Sequence, residues 1–123
     1  MTLPALVGVV DDDESVRESL PDALKRIGFA ARAFSSGAEF LASDCMGNAQ
    51  CLILDVNMPG MSGPELQREL IRRGYEIPVI FITAQSPDSL PPSLLEQGEV
   101  KCLFKPFSKD DLRAALDAAL RRI

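Results

Sequence analysis

Asp11, Asp12, Asp55, Thr83 and Lys105 are the residues of this chain whose types and placement suit chemistry. Each follows closely on a short apolar run: 6–10 before Asp11 and Asp12, 51–54 before Asp55, 78–82 before Thr83 and 100–104 before Lys105. In an open parallel α/β sheet, ligands bind outside the carboxyl ends of the strands. If the four runs are neighbouring parallel strands, one crevice collects three carboxylates, a hydroxyl and an ammonium. Clustered carboxylates repel and raise one another's pKa, which a divalent cation relieves. Magnesium prefers oxygen ligands and keeps several waters, so two carboxylates and a carbonyl suffice. With the cation bound, Asp55 stays ionised and can attack phosphorus in line to form an aspartyl phosphate. The Lys105 ammonium and the Thr83 hydroxyl then stabilise charge on the transferring oxygens. Taken singly, each residue has a plainer reading: 11–14 as an acidic helix start favoured by the dipole, Lys105 as a surface lysine, Thr83 as a strand-end hydroxyl. Their joint placement at four strand ends favours the chemical reading.

The elements that must position these residues alternate strand and helix five times. After 6–10 comes a helix with Val16, Leu20, Ala23, Leu24 and Ile27 at helical spacing, closed by Gly28. Pro21 interrupts it and deprives the Arg17 carbonyl of its usual partner, so a kink or a short N-terminal turn is expected. A weak strand over 30–34 leads to Ser36-Gly37-Ala38-Glu39, a capping box opening a helix that buries Phe40 and Leu41. Gly47-Asn48 ends that region. The run 51–54 is wholly apolar, as expected when both sheet faces are covered. Asn57-Met58-Pro59-Gly60 makes a turn, and Ser62-Gly63-Pro64-Glu65 is a second capping box with proline in the first turn. That helix reaches Arg73 and ends at Gly74. After 78–82, the segment 85–92 is poor helix material because of Pro87, Pro91 and Pro92; a short helix is expected over 92–97. Ser108 caps a last helix with Leu112, Ala115, Leu116, Ala119, Leu120 and Ile123 on one face. Five such units imply a parallel sheet with right-handed crossovers and helices on both faces. The natural strand order is 2-1-3-4-5, with Asp11, Asp12 and Asp55 at the switch point.

A chain of 123 residues suits one domain with one core. The net charge of −5 argues against sequence-independent nucleic-acid binding, which needs basic patches. Arg72-Arg73 and Arg121-Arg122 fall in final helical turns, where they complement the dipole. Cys45, Cys51 and Cys102 are odd in number and match no zinc or redox spacing, so reduced core residues are expected at Cys51 and Cys102. The first ten residues lack a basic segment and run into Asp11-Asp12-Asp13-Glu14. No run is long enough to span a bilayer, and a cytoplasmic protein is expected.

The motifs resemble those of the receiver domain of two-component response regulators, the CheY-like family, over the whole chain, 1–123. They are Val10-Asp11-Asp12, Leu54-Asp55-Val56-Asn57-Met58-Pro59-Gly60-Met61-Ser62-Gly63, Ile82-Thr83-Ala84 and Lys105-Pro106-Phe107. Receivers attached to helix-turn-helix DNA-binding modules are the nearest in character. The resemblance implies a flavodoxin-like fold and the following roles. Asp12 ligates Mg2+ directly and Asp11 through water. Asp55 is the phosphoacceptor and a further ligand, and the backbone carbonyl of Asn57 completes the protein's set. Thr83 is the switch hydroxyl, Lys105 binds the phosphate, and the Lys105-Pro106 bond is cis. The donor is a phosphohistidine on a sensor histidine kinase or phosphotransfer protein, and the output is an attached or separate module. Such a domain assists its own phosphorylation and dephosphorylation and is otherwise no enzyme; no membrane or direct nucleic-acid contact is expected. The sequence departs from the family pattern at Cys102, where an aromatic residue is usual, at Glu99 and Lys101, and at Pro91-Pro92, where a fourth helix normally begins. All lie on the face receivers use for output.

Three rivals share part of this inventory. A haloacid-dehalogenase-type phosphatase needs a second Asp two residues after the nucleophile, where this chain has Asn57, and a cap insertion. A flavin carrier needs a phosphate loop after strand 1, where Asp11–Glu14 would repel phosphate; a colourless protein disposes of it. A phosphorylation-independent receiver-like binding module would share the fold, but the intact set of site residues argues against it.

Overall fold

The computed structural model describes residues 4–84 and 101–120. Strands β1 (Leu6–Val10), β2 (Ala30–Phe34), β3 (Cys51–Asp55), β4 (Val79–Thr83) and β5 (Lys101–Phe104) form one sheet in the order β2-β1-β3-β4-β5. Every pairing is parallel. Helices α1 (Glu14–Arg26), α2 (Gly37–Ala42), α3 (Gly63–Arg72) and α4 (Lys109–Leu120) cover its faces, with a 3-10 turn at Asp44–Gly47.

Alternation along the strands divides the core into two layers. Val7, Val9, Cys51, Ile53, Ile80 and Ile82 face α1 and α4, where they meet Leu20, Leu24, Leu112 and Leu116. Leu52, Leu54 and Phe81 face α2 and α3 and pack with Phe40, Leu66 and Leu70. All five residues of β3 are buried, the outcome its unbroken apolar run required. Truncating a residue such as Leu24 or Leu54, both without solvent exposure, to Ala costs about 2–5 kcal/mol in such cores.

Two strands end one residue later than the apolar runs suggested: Asp55 and Thr83 are the last residues of β3 and β4 rather than the first residues beyond. The ladder holds both, because Asp55 registers with Ile82 and Thr83 with Phe104. Helix α1 runs continuously through Pro21, with no separate N-terminal turn; Leu20 and Leu24, buried on either side of the proline, pack both halves against the sheet. Ser62 and Glu65 form the reciprocal capping box. At α2 only half of it forms: Ser36 accepts from the Glu39 N–H, while the Glu39 carboxylate reaches back to the Ser35 N–H. Arg73 caps α3 rather than belonging to it. Ser108 and Asp111 bond reciprocally at the start of α4. Val100, Ile123, the pair Arg121-Arg122, the prolines 87, 91 and 92 and the expected helix over 92–97 lie outside the described residues. The three cysteines are free thiols, and burial pushes the Cys51 thiol up to about 12. No helix among the described residues is long and apolar enough to cross a membrane.

Candidate functional site

The carboxyl ends of β1, β3, β4 and β5 bring the predicted residues together. Asp11 follows β1, and its N–H still donates to the Phe34 carbonyl at 3.1 Å, one step beyond the strand. The sheet therefore sets its backbone, and its side chain is fully buried. One carboxylate oxygen of Asp11 accepts from the Asp13 N–H at 2.9 Å, and the other accepts from Lys105 Nζ at 2.9 Å. Asp12 stands exposed at the rim. Asp13 turns away to cap α1, accepting from the Ser15 N–H and hydroxyl, which also lowers its pKa. Asp55 is 6% exposed and accepts from the Asn57 N–H at 3.3 Å. Thr83 is fully buried, and its carbonyl accepts from the Lys105 N–H at 2.8 Å. The Lys105-Pro106 bond is cis, as the resemblance implied.

Carboxylate oxygens of Asp11, Asp12 and Asp55, one from each, lie within 4.8 Å of one another. The electrostatics reflect that crowding. Burial, then the Asp11 carboxylate beside it, raise the Asp55 pKa to about 7, against the opposing pull of Lys105 and the Asn57 N–H. Burial pulls the Lys105 ammonium down, but its bond to Asp11 and the charges of Asp11, Asp55 and Asp13 outweigh that and hold its pKa above the ordinary value. An oxygen-only set with more negative than positive charge, half sunk in a crevice, fits a hard divalent cation.

Sequence reasoning gave no role in the pocket to two residues that shape it. Gly63, the first residue of α3, lies against the end of β3: its N–H donates to the Val56 carbonyl at 3.2 Å, and a Cβ there would collide with the Asp55 carbonyl, whose carbon would be 3.1 Å away. Arg17 donates to the Asp11 carbonyl at 3.0 Å. A cation in the opening turns of a helix opposes the dipole, and that misplacement was the available signal. Cys102 registers with Phe81 and packs half-buried against the layer facing α2 and α3; burial raises its thiol pKa.

The sequence model of the response regulator receiver domain matches residues 7–117. The chain belongs to that family. This receiver is 39% identical over 114 residues to the transcriptional regulatory protein TdiR of Thauera aromatica, covering 93% of this chain and 50% of TdiR. It superposes on FixJ-N with a TM-score of 0.84 at 32% identity, over 99% of this chain and 98% of that one. It also superposes on response regulator protein TrrA of Thermotoga maritima, in complex with Mg(2+)-BeF, with a TM-score of 0.79 at 30% identity, over 94% and 99% of the two chains. The chain spans about half the length of the curated relatives it matches. Receivers of this family are the phosphoacceptor components of two-component systems, and the buried acidic crevice accords with that role.

Proposed function

We propose that Asp55 is the phosphoacceptor, taking a phosphoryl group from the phosphohistidine of a sensor histidine kinase or phosphotransfer protein. A carboxylate oxygen of Asp55 forms the new bond to phosphorus as the bond from phosphorus to the imidazole nitrogen breaks. The observation that carries this is the Asp55 carboxylate itself: buried at a strand end, crowded by Asp11 and with a lysine in the same pocket. Asp11, Asp12, Asp55 and the backbone carbonyl of Asn57 would hold Mg2+, which when bound neutralises charge on the carboxylates and on the phosphoryl oxygens. Lys105 donates to Asp11; transferring that ammonium to a phosphoryl oxygen would give the phosphorylated form a contact of its own. Thr83, at the end of the neighbouring strand, is the hydroxyl that moves toward the phosphate. A modification shifts a conformational equilibrium only through such differential contacts. The domain so assists its own phosphorylation and dephosphorylation without acting on a separate substrate.

The output partner is an attached or separate module, reached in the cytoplasm through the face that contains β5 and α4. Cys102 stands there in place of the usual aromatic ring; too small to report the switch by swinging a ring, it leaves the readout to other groups. TdiR's name marks that relative as a transcriptional regulator, and a DNA-binding module is the output it suggests here, with this domain itself making no nucleic-acid contact. Incubation with acetyl phosphate and magnesium should add one hydroxylamine-labile phosphoryl group by intact mass, and omission of magnesium or Asp55→Asn should abolish it. Undiminished labelling of Asp55→Asn would overturn the assignment.

A further inference from the structure

We propose that Arg17 is a positioning residue for the acidic pocket, acting by pinning the peptide unit that joins Asp11 to Asp12. The inference rests on the metal-site reading above. Strand β2 ends at Phe34, and the Asp11 N–H makes the last bond of that ladder. The Asp11 carbonyl lies beyond the ladder, and the Arg17 guanidinium takes it at 3.0 Å. A peptide unit is planar, so holding that oxygen also directs the bond to the Asp12 Cα. Asp12 needs such help: it is exposed and sits outside every strand and helix. On its far side the Asp13 N–H is tied to the Asp11 carboxylate, and the Asp13 side chain is committed to capping α1. The Asp12 backbone is thus bracketed by one guanidinium bond and one carboxylate bond. Arg17 itself is half-buried in the opening half of α1, where its charge is opposed by the helix dipole. Its position makes sense as a bond to the pocket wall, which offsets that cost.

The full chain tests this, as wild type, Arg17→Met, which keeps the aliphatic stem, Arg17→Lys, which keeps a donor, and Asp12→Asn. Magnesium affinity is read by titrating magnesium chloride and following amide shifts by NMR. Hydrogen exchange of the Asp13 amide is read without metal. Arg17→Met should weaken magnesium roughly tenfold, the loss typical of removing a group that orients a ligand, and should speed exchange at Asp13. Arg17→Lys should stay within about twofold of wild type in affinity, because a single N–H carries the bond. Wild-type behaviour of Arg17→Met in either measurement, or equal losses in Arg17→Lys, overturns the inference. Unchanged magnesium affinity in Asp12→Asn would instead sink the metal-site reading, and the Asp13 exchange, which needs no metal, would then decide the role of Arg17.

Discussion

Asp55 and Glu69 are carboxylates of the same β3–α3 unit, and the fold drives them in opposite directions. Glu69 sits partly exposed on α3, where Arg72 and Arg73 reach it at 2.6 and 2.7 Å. Those bonds lower its pKa to about 2. Asp55, at the end of β3, is raised to about 7 by burial and by Asp11. The surface of α3 satisfies its charge locally; the crevice holds charge that the protein alone does not neutralise. A carboxylate in a crevice whose pKa is pushed up by burial and by a second carboxylate marks a candidate functional site.

The largest effect expected at the crevice comes from a residue without a side chain. Gly63→Ala drives a methyl group into the Asp55 carbonyl, and backbone cannot yield as a flexible side chain does. A loss of about 3 kcal/mol is expected in denaturant unfolding. A near-neutral result would mean that α3 can slide away from β3, and that the crevice is less rigid than the outer face of α3.

Next in size is the metal-free stability of Asp55→Asn. The folded state binds the Asp55 proton more tightly than the unfolded chain does, so wild-type stability falls as pH rises from about 4 through about 7. Removing the charge should therefore stabilise the apo protein by about 1–3 kcal/mol above pH 7, with the gain shrinking toward pH 4. Magnesium should erase much of the difference by stabilising the wild type. Thermal melts across pH would check this, and a destabilised Asp55→Asn at pH 8 without metal would remove the contrast with Glu69.

Lys105→Ala should act on affinity more than on the site's architecture. Removing the competing ammonium from Asp11 should leave magnesium binding equal or severalfold tighter, on the scale of about 1 kcal/mol for one relieved charge–charge contact in a partly solvated site. Phosphorylation by acetyl phosphate should nonetheless slow. Weaker magnesium binding in a titration would show that Lys105 holds Asp11 in its ligating position rather than competing for it.

Glu69→Gln should do least. Its bonded carboxylate adds stability above the ordinary carboxylate pKa, lost as pH falls toward 2. Exposed ion pairs contribute little and are screened by salt. A small drop in melting temperature at low ionic strength, vanishing in high salt, is expected, with magnesium affinity unaltered.

Much of this molecule was legible in residue order. The unbroken apolar run before Asp55, the strand and helix alternation and the capping residues Ser62 and Ser108 implied a parallel sheet, and a parallel sheet puts strand ends in one crevice. The five polar residues at those ends were identifiable because their positions are set by local periodicity and by the sheet's fixed geometry. Other features depend on distances that no periodicity encodes. That Thr83 is the last residue of β4 follows from its register with Phe104. That Pro21 leaves α1 whole follows from leucines buried on both sides. The bond from Arg17 to the Asp11 carbonyl joins a helix to a strand end, and the contact of Gly63 with Asp55 depends on how closely α3 lies on β3. The chain alone determined which groups meet, because strand polarity and crossover handedness leave few alternatives. Only the tertiary structure decided their burial and charge balance, because the pKa of Asp55 is set by solvent exclusion and by a carboxylate forty-four residues away in sequence.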